Sequence, residues 1–180
     1  MKVMFLDHDG VICLSPQWGG RYKKKGFDSN PETPMDIRMD SFDPKAVKVL
    51  NSIIEKTGCE IVVSSDWKRW GTLEQMQEMY TKRGIKPPIA LTPTLKECTI
   101  HGNNFIWSKE WDLEQTRSIE IKQYLHDHPE ITHWVAVDDL DMSDSEGWRN
   151  WGITNFVLTP KSYEGIKQCG VKERILKFLE

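Results

Sequence analysis

The sequence lacks the features that would direct a chain into or across a membrane. It has no apolar run near the about 18 residues that a spanning helix needs. Asp7 and Asp9 lie where a signal peptide would have its apolar core, so we expect no secretion. None of the four cysteines is in Cys-x-x-Cys spacing: Cys13, Cys59, Cys98 and Cys169. This scatter predicts reduced thiols in a cytoplasmic protein, not a zinc site or a disulfide framework.

An excess of positive charge is also missing. The formal net charge is −3, which argues against broad, charge-driven binding to nucleic acid but leaves room for a local basic groove. With 180 residues the chain is long enough for a real hydrophobic core, and we expect one domain over residues 1–180. Nothing in the sequence indicates an obligate protein partner.

What the sequence does contain is a short apolar strand that ends in two aspartates. The run from Val3 to Leu6 is continuously apolar, as is typical of a strand buried on both faces of a parallel sheet. Because side chains alternate along a strand, Asp7 and Asp9 should point the same way. Gly10 then lets the backbone turn sharply or approach a ligand closely. Asp-x-Asp-Gly is also an ordinary turn sequence, so the motif alone does not identify a site.

A second acidic pair, Asp138 and Asp139, follows the apolar run 134–137. If both strands lie in one parallel sheet, these carboxylates converge with Asp7 and Asp9 at the edge where open sheets bind ligands. At roughly 4 Å and an effective dielectric of about 20, each like-charged pair costs on the order of 4 kcal/mol, which implies a bound cation. Oxygen ligands together with water and a phosphate suit Mg²⁺. Asp7 and Asp139 would bind the ion through their carboxylates and Asp9 through its backbone carbonyl, while Asp138 would support the ion or bind it through water.

A strand–helix–strand unit after the first strand predicts an α/β fold. The helix should begin at Asp43, an N-cap residue followed by proline, and end at Gly58. The second apolar strand comes next and ends in Ser64 and Ser65. Because the crossover of such a unit is right-handed, Ser64 should lie beside Asp7 at the same sheet edge.

Further elements are expected along the rest of the chain. The predicted strands are 89–92, 134–137 and 154–159, and the predicted helices are 72–82, 113–126 and the tail from 162. Residues 13–43 have no clear periodicity and are interrupted by glycine and proline, so we expect no core element there. Their length favours a flap over the site, although a solvated loop is also consistent with it. Residues 93–112 are expected to be irregular.

Phosphoryl transfer through a covalent aspartyl-phosphate needs the groups gathered at this edge. Asp7 is the candidate nucleophile. Asp9 could protonate the leaving oxygen and then deprotonate water. Ser64 would hydrogen-bond a phosphoryl oxygen, and a cation such as Arg117 would offset its charge.

In their order along the chain these motifs resemble the four motifs of the haloacid dehalogenase (HAD) superfamily. The matching residues are Asp7-x-Asp9-Gly10-Val11, Ser64 after an apolar strand, a basic residue opening a later helix, and Asp138-Asp139. Segments 42–44, 61–67 and 159–165 are more narrowly similar to small HAD domains associated with RNA-repair proteins. The resemblance implies a Rossmann-like three-layer α/β sandwich with a five-stranded parallel sheet in the order 5-4-1-2-3. No second block is long enough for a large cap domain.

The resemblance also implies roles for individual residues. An aspartate at position 9 implies a phosphatase or phosphotransferase. Arg117 is the candidate for the basic third motif, with Lys109 and Lys122 as alternatives, and each could instead be a solvated surface charge.

Candidate substrate-binding residues lie around the same edge: Ser65, Gly10, Trp67 and Lys109. Trp67 could stack on a nucleobase, as could Trp70, Trp107 and Trp111, although packing is the commoner role of a tryptophan. The basic residues 21–25 could contact a nucleic-acid backbone or be solvated. His8 should face away from the aspartates and pack in the interior.

The sequence therefore predicts a Mg²⁺-dependent phosphomonoester hydrolase that forms phospho-Asp7. Its substrate would be a nucleotide or a nucleic-acid terminal phosphate, which rests mainly on the narrower resemblance. Two alternatives stay open: a small-metabolite or phosphoprotein phosphatase, and a non-catalytic binding module that keeps the HAD fold.

Overall fold

Seven strands are present in the computed structural model, which describes residues 1–16, 30–39, 41–95, 97–100, 103–106, 113–144 and 151–180. They are β1 (Lys2–Leu6), β2 (Glu60–Val63), β3 (Ala90–Leu91), β4 (Glu97–Ile100), β5 (Asn103–Ile106), β6 (His133–Asp138) and β7 (Phe156–Leu158). Five of them form a sheet in the order β3-β2-β1-β6-β7, and every pairing is parallel. When only these five strands are counted, β6 is the fourth and β7 the fifth. Read from the β7 edge, the order is then 5-4-1-2-3, and the predicted order is confirmed.

The described residues form five α-helices: α1 (Met35–Arg38), α2 (Pro44–Thr57), α3 (Leu73–Lys82), α4 (Leu113–Asp127) and α5 (Val171–Leu179), the last of which follows β7. Helix α2 begins and ends where its capping residues predict. The Asp43 side chain accepts a hydrogen bond of 2.8 Å from the amide of Ala46, and Gly58 adopts a left-handed conformation with φ of 69°. Within the described ranges, no helix is both long and apolar enough to span a bilayer.

The two faces of the sheet carry separate hydrophobic clusters, which makes the fold a three-layer sandwich. Met4 and Leu6 of β1 pack on one face with buried residues of α2, α3 and α5. Val3 and Phe5 pack on the other face with Ile121 of α4. This alternation follows from the two-residue period of a strand, and each fully buried apolar side chain contributes about 1.5–3 kcal/mol.

The expectation that residues 13–43 provide no core element is wrong for the end of that segment. Met35 is 1% exposed, and it belongs with Met39 and Phe42 to the larger hydrophobic cluster. The two methionines are four residues apart, so one turn of helix directs both toward the core. Residues 17–29 lie outside the described residues, and the flap stays a prediction.

Strands β4 and β5 correct the expectation that residues 93–112 are irregular. They pair antiparallel, with Glu97 opposite Ile106 and Ile100 opposite Asn103. The two strands pair through backbone hydrogen bonds, which form whether or not polar and apolar side chains alternate. Because this sequence has no such alternation, its pattern did not predict strands.

Candidate active site

The register of the sheet brings three strand ends to the same level. Leu6 of β1 lies opposite Val63 of β2 and Val137 of β6. The next residues, Asp7, Ser64 and Asp138, therefore leave the sheet side by side. Backbone hydrogen bonds continue past the strand ends, from the amide of Asp7 to the carbonyl of Val137 at 3.1 Å and from the amide of Ser64 to that of Leu6 at 2.9 Å.

Asp7, Asp138 and Asp139 form a group that could hold a metal ion. Each offers one carboxylate oxygen, and these oxygens lie within 4.8 Å of one another. Asp7 and Asp138 are buried, and Asp139 is half-buried. We call these three residues the acidic cluster. The carboxylate of Asp9, a predicted metal residue through its backbone carbonyl, lies outside this cluster and contacts Trp67.

Arg117 is the basic residue that helix α4 brings to the acidic cluster. Its Nη1 lies 2.7 Å from Oδ2 of Asp138 and 3.4 Å from Oδ2 of Asp7. Its Nη2 lies 3.6 Å from Oδ2 of Asp66. Burial alone would lower the pKa of Arg117, but the neighbouring carboxylates raise it above its usual value. Arg117 therefore stays charged.

The single positive charge of Arg117 does not balance the negative charges of the acidic cluster. Burial and the neighbouring Asp138 raise the pKa of Asp7 well above its usual value, although Arg117 and a hydrogen bond from Ser65 oppose this. Burial also raises the pKa of Asp138 despite its contact with Arg117. Both shifts mean that the ionised carboxylates are disfavoured in the folded chain unless further positive charge is present. A divalent cation would supply that charge.

Two buried polar atoms in this site have no hydrogen-bond partner within the described residues: Oδ1 of Asp7 and Oγ of Ser64. Each belongs to a residue that is 2% exposed. A buried polar atom without a partner costs about 1–3 kcal/mol, and such atoms are uncommon in folded proteins. A carboxylate oxygen suits a metal ion, and a hydroxyl suits a phosphoryl oxygen. The residues present therefore fit Mg²⁺ and a phosphate.

Gly10 shapes the position of Asp139. Its φ is 72°, and a Cβ built at this position would lie 2.1 Å from Oδ2 of Asp139. Thr159 and Ser162 complete this side of the site, and the sequence analysis gave neither of them a role. The Thr159 hydroxyl donates to the carbonyl of Gly10 at 3.0 Å, and the Ser162 hydroxyl donates to Oδ2 of Asp139 at 3.1 Å. Both residues follow β7, so the rule that strand ends meet at one edge could have found them.

The ring of Trp67 is 4% exposed and stacks on Phe42, which favours the packing role over the predicted stacking on a nucleobase. Ser65 caps the following 3-10 helix (Asp66–Arg69) by accepting a bond from the Trp67 amide. His8 is fully buried, as expected, with Nε2 2.7 Å from Oη of Tyr80.

Some predicted residues are not part of the described site. Lys109, Trp107, Trp111 and the basic residues 21–25 lie outside the described residues. Lys122 is on α4, where burial lowers its pKa and the charge of Asp144 raises it. Arg117 stays the candidate for the basic third motif because of its contacts with the acidic cluster.

A parallel Rossmann-like sheet with an arginine-paired acidic cluster at its carboxyl edge defines the class of HAD-type domains. Residues 3–170 match the family described as the HAD domain in Swiss Army Knife RNA repair proteins, and the chain belongs to that family. The predicted resemblance is thereby confirmed. No curated protein and no solved structure matched the chain. Membership supports a phosphatase-type hydrolase function in the context of RNA repair.

Proposed function

We propose that the chain is a Mg²⁺-dependent phosphomonoester hydrolase that transfers the phosphoryl group to Asp7. The observation that carries this proposal is a pair of buried atoms, Oδ1 of Asp7 and Oγ of Ser64, which have no hydrogen-bond partner among the described residues and lie next to Arg117 and the acidic cluster. The family description supports a nucleotide or a nucleic-acid terminal phosphate as the substrate.

The first step forms the covalent intermediate. A carboxylate oxygen of Asp7 attacks phosphorus, and the bond between phosphorus and the ester oxygen breaks. The carboxyl group of Asp9 gives its proton to that ester oxygen, which leaves as an alcohol.

The second step returns the enzyme to its starting state. The carboxylate of Asp9 takes a proton from water, whose oxygen attacks the phosphorus of phospho-Asp7. The bond between phosphorus and the Asp7 oxygen breaks, inorganic phosphate leaves, and Asp9 is protonated again.

The surrounding residues bind and orient the phosphoryl group. Ser64 donates its hydroxyl hydrogen to a phosphoryl oxygen, and Arg117 offsets the negative charge of the transferred group. Asp7, Asp138 and Asp139 would hold Mg²⁺, which when bound offsets the charge of the phosphoryl group.

The test is phosphate release in the presence of Mg²⁺ from a panel of monoesters. The panel contains phosphorylated oligonucleotides, 5′- and 3′-mononucleotides, sugar phosphates, a phosphopeptide and an aryl phosphate. We expect the phosphorylated oligonucleotides or the nucleotides to react fastest. The Asp7→Asn variant should lose at least about a thousandfold in rate on each substrate.

Other results would redirect the proposal. A clear preference for sugar phosphates or the phosphopeptide would support the metabolite or phosphoprotein alternative. No release from any monoester would support a binding module that keeps the fold. Full activity in Asp7→Asn would contradict the covalent route.

A further inference from the structure

Trp67 contacts Asp9 directly, although the two residues are far apart in the sequence. The indole Nε1 donates a hydrogen bond of 3.0 Å to Oδ2 of Asp9 across a separation of 58 positions. The proposed chemistry uses Asp9 and makes no use of the indole. Burial also keeps the ring from stacking on a substrate base.

The indole ring is fixed by its neighbours. It stacks on Phe42 with ring centroids 5.6 Å apart and planes 19° apart. The ring of His8 meets it edge-on at 4.6 Å, and His8 is held in turn by the hydroxyl of Tyr80. Aromatic contacts of this kind are worth about 0.5–1.5 kcal/mol each beyond the area they bury. The N–H group therefore points in a fixed direction.

A fixed donor restricts the carboxyl group that it binds. Asp9 lies beyond the end of β1, where a single β-bridge to Cys13 replaces the regular pairing of the sheet and leaves the direction of the side chain to its own contacts. An indole N–H can only donate, so it engages a lone pair on Oδ2 and favours Oδ1 as the oxygen that carries the transferable proton. General acid catalysis needs this proton within hydrogen-bond reach of the leaving oxygen.

We propose that Trp67 is a positioning residue for Asp9, which it orients for proton transfer to the leaving group. This inference deepens the proposed function and rests on it. Trp67 touches neither the substrate nor the reacting atoms and acts through the carboxyl group of Asp9. Its removal should therefore affect esters according to how much their leaving groups need a proton.

The test compares two phosphate esters in wild type and Trp67→Phe. The phenolate of an aryl phosphate with an acidic phenol leaves without much help. The alcohol of an alkyl phosphate needs the proton from Asp9 in order to leave. Values of kcat/KM report phosphoryl transfer to Asp7 and not the later hydrolysis. We expect Trp67→Phe to lower kcat/KM for the alkyl ester by about tenfold or more and for the aryl ester by less than about threefold.

Two further variants separate positioning from packing. Trp134→Phe is the matched control, because Trp134 lies near the start of β6, at the other end of that strand from Asp138, and packs edge-on against Phe5, so both esters should react as in wild type. If Trp67→Phe does not fold, Trp67 is replaced by 3-benzothienylalanine, which keeps the shape of the ring and has sulfur in place of the N–H. The same selective loss on the alkyl ester is expected.

The possible outcomes point to different conclusions. An equal loss on both esters would overturn the inference, because a general disturbance of the fold does not distinguish leaving groups. An unchanged alkyl ester rate in the benzothienyl variant would also overturn it. If wild type hydrolyses neither ester, or if Asp7→Asn stays active, the proposed function itself fails and this inference fails with it.

Discussion

Helix α4 contributes to two buried charged groups that differ in how completely they are paired. Arg117 points to the acidic cluster, and Glu120, one turn later, forms an ion pair with Lys68. The side chains of Lys68 and Glu120 are 4% and 5% exposed, and that of Arg117 is 7% exposed. Burial therefore does not distinguish the two groups.

The ion pair between Lys68 and Glu120 has a partner for every charge. Nζ of Lys68 lies 2.5 Å from the Glu120 carboxylate, 3.0 Å from Oγ1 of Thr92 and 2.9 Å from the carbonyl of Pro93. The other oxygen of Glu120 accepts a bond of 3.4 Å from the amide of Leu95. The three ammonium hydrogens thus have acceptors, which is the arrangement expected of a buried pair that only holds the fold together.

The acidic cluster is left incomplete by comparison. It has three carboxylates for one guanidinium, and Oδ1 of Asp7 has no partner within the described part of the chain. A fold gains nothing from such an arrangement on its own. This comparison supports the proposal that the acidic cluster binds a ligand, whereas the ion pair holds the fold together, and the following predictions test this distinction.

Asp7→Asn should give the largest effect and should act in opposite directions on activity and stability. Phosphate release should fall by at least about a thousandfold. The raised pKa of Asp7 means that its ionised form destabilises the fold at pH 7, and the neutral side chain removes that cost. The free energy of unfolding in EDTA should rise by about 1 kcal/mol in a urea titration. A variant that is both active and less stable would contradict the comparison.

Lys68→Met should lower the stability of the fold, unlike Asp7→Asn, because it breaks an ion pair that we expect to be structural. Removing one partner leaves Glu120 buried without its counter-charge, which should cost about 3–5 kcal/mol in the free energy of unfolding. Lys68→Met combined with Glu120→Leu should recover most of that loss. The control is Lys86→Met, whose pair with Glu60 at 2.8 Å is partly exposed and should matter by less than about 1 kcal/mol. If the double variant were no better than the single one, the charge would not be the cause.

The sequence predicted the parts of this comparison that depend on local patterns. Apolar runs located β1, β2 and β6, and the Asp43 cap located the start of α2. Because parallel strand ends share an edge, these elements were enough to bring Asp7, Ser64 and Asp138 together. The prediction therefore worked where position along one element decides position in space.

Contacts between distant residues were not predicted. Lys68 and Glu120 are separated by 52 positions, and no spacing rule links a lysine on a 3-10 helix to a glutamate on another helix. For Trp67 the sequence offered only a choice between packing and stacking, since its bond to Asp9 depends on how the 3-10 helix after β2 meets the turn after β1. The core role of Met35 depends in the same way on the packing of α1 against residues far along the chain.

Mg²⁺ should stabilise the folded chain through the acidic cluster. An ion that binds only the folded state at about 100 times its Kd adds about 2.7 kcal/mol to the free energy of unfolding. The increase should be seen in urea titrations with and without Mg²⁺, and it should be lost in Asp139→Asn. Lys86→Met should keep the full increase. An increase that survives in Asp139→Asn would place the ion elsewhere.

Ser162→Ala should have the smallest effect, on the affinity for Mg²⁺ only. The hydroxyl of Ser162 fixes Oδ2 of Asp139, and losing a hydrogen bond that orients a metal ligand typically weakens binding by about tenfold. The Mg²⁺ concentration that gives half of the stabilisation should rise accordingly, with little change in stability in EDTA. Ser143→Ala is the matched control, because its hydroxyl donates to the exposed Asp141 at 2.6 Å. Equal shifts in both variants would mean that Ser162 does not orient Asp139.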